Sequence, residues 1–219
     1  MSSRQRNRVM NITIIGSGNM GSAFARQLRA AGHKVRVTGR NPAKANELAS
    51  QNPGVEALAP QAAAQGADAI IVATPYEAAA GALRSLGDLN GKVVIDITNP
   101  LTPDYMGLTI GHDTSAAEQI AQAVPGAQVV KGFNTLFAQV LAAGPDFGNG
   151  RKATVFLASD NERAKQTARA LAESMGFEAM DAGPLKNARY LEPLAGLNIY
   201  FGYGAGLGTT VAPAWLRKA

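Results

Sequence analysis

Three glycines at a fixed spacing are the residues of this chain best suited to holding a ligand. They lie in Gly16-Ser17-Gly18-Asn19-Met20-Gly21, directly after the apolar run Ile12 to Ile15. Each has a separate physical task. Gly16 permits a tight turn, Gly18 lets a pyrophosphate come against the backbone, and Gly21 lets a helix lie close on the strand. The residues that follow place Met20, Ala23, Phe24, Leu28 and Ala31 at the three-and-four spacing of one buried helical face. The N-terminus of that helix presents free N–H groups and a partial positive charge to phosphates. Gly32 stands where a helix C-cap belongs, and Val35 to Thr38 reads as a second strand. Strand, G-x-G-x-x-G, helix and strand within about thirty residues is the context in which the motif marks a dinucleotide site.

The end of the second strand says which dinucleotide. An NAD site places Asp or Glu there to accept a hydrogen bond from the ribose 2′-hydroxyl. This strand ends Thr38-Gly39-Arg40-Asn41, without an acid. A guanidinium binds a 2′-phosphate through a charge-assisted fork that a carboxylate would repel. Thr38 adds a hydroxyl, and Asn41 caps the next helix, with Pro42 at its first position. The residues point to NADP(H).

Further candidates sit where later strands end. Thr74-Pro75 would lie along the cofactor beyond the pyrophosphate, and Asn99 and Asn134 are placed to bind the ribose or the nicotinamide carboxamide. No strand ends in a histidine that could act as acid or base; of the two histidines, His112 falls in a loop. Lys186 and Asn187 are adjacent, not one helical turn apart, so they face different directions. No side chain is assigned a catalytic proton transfer. A hydride acceptor whose own ring carries the chemistry fits this pattern, and the protein then aligns two flat rings in a dry pocket.

The elements that must position these residues alternate along the chain. Helices are expected at Pro42 to Gln51, at Ala57 to Gln65, and from Thr74 to about Leu86. Further helices are expected from Ser115 to Ala123, over Leu136 to Ala143, after Ser159, and over Leu191 to Tyr203. Capping boxes are expected at Thr74/Glu77, Ser115/Glu118 and Ser159/Glu162. Continuous apolar strands are expected at Asp68 to Ala73, Lys92 to Ile97, Val129 to Phe133, Ala153 to Ala158 and Phe177 to Met180. This rhythm predicts an α/β fold, a Rossmann-like doubly wound and mostly parallel sheet with a small C-terminal extension. Residues 9–150 read as the NADP-binding domain. Residues 151–219 read as the extension, beyond a turn-rich hinge at 145–150, and residues 1–8 as a disordered basic arm.

Composition narrows the partners. The chain has no Cys, which excludes disulfides, thiolate catalysis and Cys-based metal sites, and two His leave little for a His-based centre. The net charge of +5 is scattered, without a basic stripe interleaved with aromatics, so no nucleic acid is expected. No signal peptide is apparent, and a cytoplasmic location is the default. Pro193 to Leu216 carries no charge, but its glycines, Asn198, Pro213 and two threonines break the run, so no membrane span is expected. The apolar, glycine-rich C-terminal surface suggests a homodimer.

Several stretches together are similar to a known family. GSGNMG, TGRN, VATPYEA, TSAAEQIAQAVPGAQVVKGFNT and DAGPLKNARYLEPL resemble the NADPH-dependent F420 reductases and the related cytosolic domain of the STEAP metalloreductases. The resemblance covers residues 9 to about 200 and implies an NADPH-binding domain that passes hydride to a flavin-like ring. It also implies that the loop after Lys131 and the C-terminal segment border the acceptor. The F420 enzymes carry His-Thr where this chain has Asn134-Thr135, which sides with the metalloreductases and admits FMN or FAD beside F420. Two other readings stay open: an NADP(H)-binding sensor without catalysis, and an imine reductase of the pyrroline-carboxylate reductase type.

Overall fold

The apolar runs that the sequence marks as buried lie side by side in one parallel sheet. The protein is described from a computed structural model over residues 8–215 and Lys218. Six strands, β1 (Asn11–Ile15), β2 (Lys34–Thr38), β3 (Val55–Ala57), β4 (Ala69–Val72), β5 (Val93–Asp96) and β6 (Gln128–Lys131), pair in the order β3-β2-β1-β4-β5-β6. Every pairing is parallel. The order reverses between β1 and β4, the crevice at which such sheets bind dinucleotides. β4 is buried along its whole length and β1 from Ile12 on, which is why they read as continuous apolar runs and not as alternation.

Helices cover both faces. α1 (Asn19–Ala30), α2 (Pro42–Gln51), α6 (Ala138–Ala143) and α7 (Glu162–Ser174) share a core with Ile12, Ile14, Val37, Ile71 and Ile95. α3 (Pro60–Ala63), α4 (Tyr76–Arg84), α5 (Ala116–Ala123) and the start of α8 (Ala188–Ile199) pack on Ile15, Ile70, Val72, Val94 and Val129 from the other side. β7 (Thr154–Leu157) and β8 (Glu178–Asp181) form a separate parallel pair. It joins the main sheet through one antiparallel bridge, Lys131 with Ala158. The first core runs without a break across residue 150, since Val155, Leu157, Ala168, Leu171 and Phe177 belong to the same cluster as Phe24 and Val130. Of the proposed N-terminal arm only Arg8 lies within the described residues; its guanidinium pairs with Asp68 at 3.3 Å.

Several local expectations are corrected. Thr74 does not cap α4: Pro75 holds the N-cap position, and the Thr74 hydroxyl instead donates to the Pro75 carbonyl at 3.2 Å. Ser159 does not cap α7. Asn161 does, accepting from the Ala164 N–H at 2.8 Å, while the Ser159 hydroxyl donates to the Val129 carbonyl. The helix expected over 57–65 is only α3, because β3 occupies Val55–Ala57; three residues at a sheet edge give too short a pattern to see. α6 starts at Ala138, after a tight turn, and α8 ends in a π-helical turn at Tyr200–Gly204. The Ser115 cap is present, accepting from the Glu118 N–H. No helix among the described residues is long and apolar enough to cross a membrane.

Candidate functional site

The candidate residues fall at the carboxyl ends of five adjacent strands. Arg40 follows β2, Gly16 to Gly21 follow β1, Thr74 follows β4, Asn99 follows β5 and Asn134 follows β6. Four spacings of about 4.8 Å each set the first and last of these strands about 19 Å apart. The result is a row with Arg40 at one end and Asn99 and Asn134 at the other.

The glycine turn has the geometry its sequence predicts, for three different reasons. Gly16 has φ +117°, and a Cβ there would run into the Ala73 carbonyl. Gly21 lies so close on the turn that a Cβ would strike the Gly16 carbonyl oxygen. Gly18 meets nothing of the protein within 4 Å of an added Cβ, so protein packing does not demand its lack of a side chain. Gly18 is also the N-cap of α1 without a capping side chain, and the first turn of α1 holds no acid, so the N–H groups of Asn19 and Met20 are left to an anion. Ser17 lines the turn half-buried; the Met20 side chain leans on the core.

At the 2′-phosphate end, Arg40 is exposed and makes no ion pair or hydrogen bond among the described residues. Thr38 is fully buried, and its hydroxyl has no partner among the described residues. Asn41 caps α2 by accepting from the Lys44 N–H at 3.3 Å, which occupies that oxygen. Gly39, with Pro42, Ala45, Ala57 and Leu58, lines a cavity of about 280 Å³ beside Arg40. The exposed guanidinium of Arg40, unpaired among the described residues, has the charge and donor set that suit a phosphate.

The far end carries residues the sequence reading missed. Lys131 is fully buried at the end of β6, and its ammonium donates to Asp96 at 2.8 Å and to the Thr98 carbonyl at 2.6 Å, with Glu192 of α8 at 2.8 Å. Burial alone would pull Lys131 down, but the charges of Asp96 and Glu192 outweigh it and hold its pKa above 10.5. Glu192 also accepts from the N–H groups of Ala116 and Ala117, so one carboxylate ties α8 to β6 and to the start of α5. With its three N–H groups facing three acceptors, Lys131 fixes structure. The signal was present in the sequence. VVID and VVK end adjacent strands at one register, Asp96 opposite Lys131, so opposite charges close two apolar runs. Glu192 is the one acid in α8.

The turn after β6 is shaped by Phe133, a bulky residue in the left-handed region at φ 59°. Such a conformation costs about 1–3 kcal/mol and persists only where the surroundings enforce it. Here the ring is fully buried edge-on against Phe24, with centroids 5.1 Å apart. Beyond this turn Asn134 and Asn99 interlock. The Asn99 amide donates to the Asn134 carbonyl at 2.8 Å, and the Asn134 amide donates to the Asn99 side-chain oxygen at 3.0 Å and to the Leu191 carbonyl at 2.9 Å. Thr74 and Pro75 stand between this pair and the glycine turn, next to Tyr76. The Tyr76 hydroxyl donates to Gln119, and burial, with Glu192 adding to it, raises its pKa.

Residues 11–100, which hold the glycine turn, Arg40 and Asn99, match the family model described as NADP oxidoreductase, coenzyme F420-dependent. This stretch, about two fifths of the chain, is similar to that family. Other relatives align along most of the chain. Metalloreductase STEAP3 of Rattus norvegicus is 33% identical over 184 residues, covering 84% of this chain and 36% of the relative. The chain thus spans about a third of that metalloreductase's length. A solved structure from Arthrobacter sp. FB24, provisionally named an F420-dependent NADP-reductase, superposes with a TM-score of 0.86 at 29% identity, covering 95% of this chain and all of the other. A reductive aminase of Aspergillus terreus, solved with NADPH4, cyclohexanone and allyl amine, shares the fold at 22% identity and a TM-score of 0.65, over 91% of this chain and 63% of its own.

Proposed function

We propose that this chain transfers a hydride between NADP(H) and a flavin or deazaflavin ring of the F420, FMN or FAD type. The observation that carries the reading is the row of strand ends from Arg40 to Asn134, with a Gly18 backbone left open and orphaned buried oxygens at both ends. Bound NADPH supplies the hydride. The chain's own residues do the rest: Gly16, Ser17, Gly18, Asn19 and Gly21 cradle the pyrophosphate, Thr38 and Arg40 take the 2′-phosphate, and Thr74, Pro75, Asn99 and Asn134 hold the nicotinamide end.

Residues 9–150 are proposed to bind the cofactor and residues 151–219 to border the acceptor. A cavity of about 870 Å³ supports this second role. It is lined by Leu108 to His112 on one side and by Lys186, Arg189, Tyr190 and Pro193 on the other. Its volume falls in the range of pockets that bury a drug-sized ligand. The exposed apolar side chains Leu197, Tyr200, Phe201 and Tyr203 continue along the same helix and support a homodimer contact. A cytoplasmic setting goes with this reading.

The test is steady-state NADPH oxidation by the purified protein with FMN, FAD, F420, ferric chelates and a cyclic imine side by side. Acceleration by one of the ring acceptors is expected. Turnover with the imine alone would instead assign an imine reductase, and binding of NADPH with no acceptor turned over would assign a sensor; either result sinks the proposal.

A further inference from the structure

Two asparagines of this chain are followed by glycine, in Asn90-Gly91 and Asn149-Gly150, and the fold treats the two pairs in opposite ways. An asparagine side-chain amide is open to attack by the backbone nitrogen of the next residue. A glycine there, having no Cβ, leaves the approach clear. The fate of each pair then depends on what holds that nitrogen.

Asn90-Gly91 is held. The Gly91 N–H donates to the Gly126 carbonyl at 2.8 Å, in the turn between α5 and β6. The Asn90 N–H donates to the Asp88 carboxylate at 2.9 Å, and the Asn90 side-chain oxygen sits only 2.9 Å from where a Cβ on Gly126 would stand. Bringing the Gly91 nitrogen onto the Asn90 amide requires breaking the hydrogen bond between the two turns.

Asn149-Gly150 is free. It lies at the tip of a hairpin closed by the Asp146–Lys152 bridge and by the Phe147 N–H on the Arg151 carbonyl at 2.9 Å. The Gly148 N–H is taken by Asp146 at 2.8 Å, and the Arg151 N–H by the Gly148 carbonyl at 3.0 Å. None of these bonds uses the peptide between Asn149 and Gly150. Both residues are exposed, and both take the left-handed conformation that Asn and Gly tolerate best, with φ 52° and 73°. Among the described residues neither the Gly150 N–H nor the Asn149 amide has a hydrogen-bond partner.

We propose that Asn149 is a site of spontaneous deamidation, selected by the fold over Asn90. The Gly150 nitrogen loses its proton to solvent base and bonds to the Asn149 Cγ. The Cγ–Nδ2 bond breaks and ammonia leaves, which closes a succinimide ring. Water then opens the ring at one or the other carbonyl, giving aspartate, or isoaspartate with the main chain running through Cγ. The net change is an amide and a water becoming a carboxylate and ammonium, with no oxidant or reductant. The new negative charge falls beside Arg151 and Lys152 and lowers the chain's net charge of +5 by one. The isoaspartyl product also lengthens the main chain by a methylene at the hairpin tip. The site is separate from every residue assigned to the cofactor or the acceptor.

Tryptic peptide mapping by mass spectrometry follows both asparagines in one sample while the purified protein ages in mildly alkaline buffer. In the native protein Asn149 should convert to aspartate and isoaspartate at least about 10-fold faster than Asn90, the factor by which one hydrogen bond of ordinary strength guards the Gly91 nitrogen. In guanidinium chloride, where neither turn is formed, the two rates should converge. Equal rates in the native protein, or a faster Asn90, overturn the proposal. A ratio that persists unchanged in the unfolded chain overturns it too, because the difference would then belong to the flanking residues and not to the fold.

Discussion

Replacing Lys131 by Met should destabilise the protein by about 3–5 kcal/mol, the cost of removing one partner from a buried ion pair. The upper half of that range is expected, because two carboxylates lose their cation at once. Asp96 and Glu192 each lie 2.8 Å from the ammonium, and none of the three side chains is more than 2% exposed. What remains in the variant is two buried carboxylates steadied by the N–H of Thr98 on one side and those of Ala116 and Ala117 on the other. For a domain of this size a change of 1 kcal/mol moves Tm by about 2–4 °C, so a drop of about 10 °C or more is expected in calorimetry at pH 7. Lys131 has a pKa raised above 10.5. Its stabilisation is therefore present in full below pH 10.5 and is lost only as pH rises beyond that, so this group should cost the wild type no stability between pH 6 and 9. Adding Glu192→Gln to the variant removes one of the two stranded charges and should recover part of the loss, a departure from additivity that only coupled groups show. A loss under about 1 kcal/mol, or strict additivity of the pair, would refute the assignment of this cluster as a mutual clamp.

The glycines of the turn should separate folding from binding: Gly18→Ala, with open space around its Cβ, should keep the wild-type Tm while weakening NADPH at least about 10-fold in titration calorimetry. Gly21→Ala, whose Cβ would strike the Gly16 carbonyl, should lower Tm itself. Arg40→Ala should weaken NADPH by roughly 10- to 100-fold and NADH little, the scale of a hydrogen bond to a charged group, and equal loss for both would remove the 2′-phosphate assignment. His33 is buried, accepts from the Met10 N–H and bonds Ser174 at 2.8 Å, and burial holds its pKa below 6.5. The stability it contributes is then complete above pH 6.5 and lost as pH falls further, so urea midpoints should drop from pH 7.5 to pH 5 and do so less in His33→Gln.

Most of the sheet was legible because its signals are local. A parallel strand buried on both faces gives an unbroken apolar run, and the glycine turn announces the crossover between β1 and α1. What escaped depends on residues distant in the chain. β3 gains its place only by pairing with β2 at Val35 to Val37. Thr74 and Ser159 carry side chains suited to helix caps, but Thr74 bonds the adjacent Pro75 carbonyl and Ser159 is turned to the Val129 carbonyl across the sheet, which leaves Asn161 to cap α7. The cofactor candidates were visible as strand ends. Their interlock was not, since Asn99 and Asn134 meet only because β5 and β6 are neighbours. Lys131 read as one more residue of a short strand until the register set it opposite Asp96.

The last third of the chain changes meaning once those long-range contacts are traced. Read along the sequence, Leu191 to Tyr203 is a helix appended to a cofactor domain. In the fold, α8 grips the β6 end and the turn after it through successive polar contacts. The Leu191 carbonyl takes an N–H of Asn134, Glu192 takes the ammonium of Lys131, and Asn198 donates to the Thr135 carbonyl at 3.0 Å. All are buried, so each resists being broken more than a surface contact would. The helix whose outer face lines the larger cavity is the same helix that accepts from the Asn134 amide. Tyr190 and Pro193 on the cavity wall therefore belong to the element that holds the Asn134 amide, and a shift of α8 moves both together.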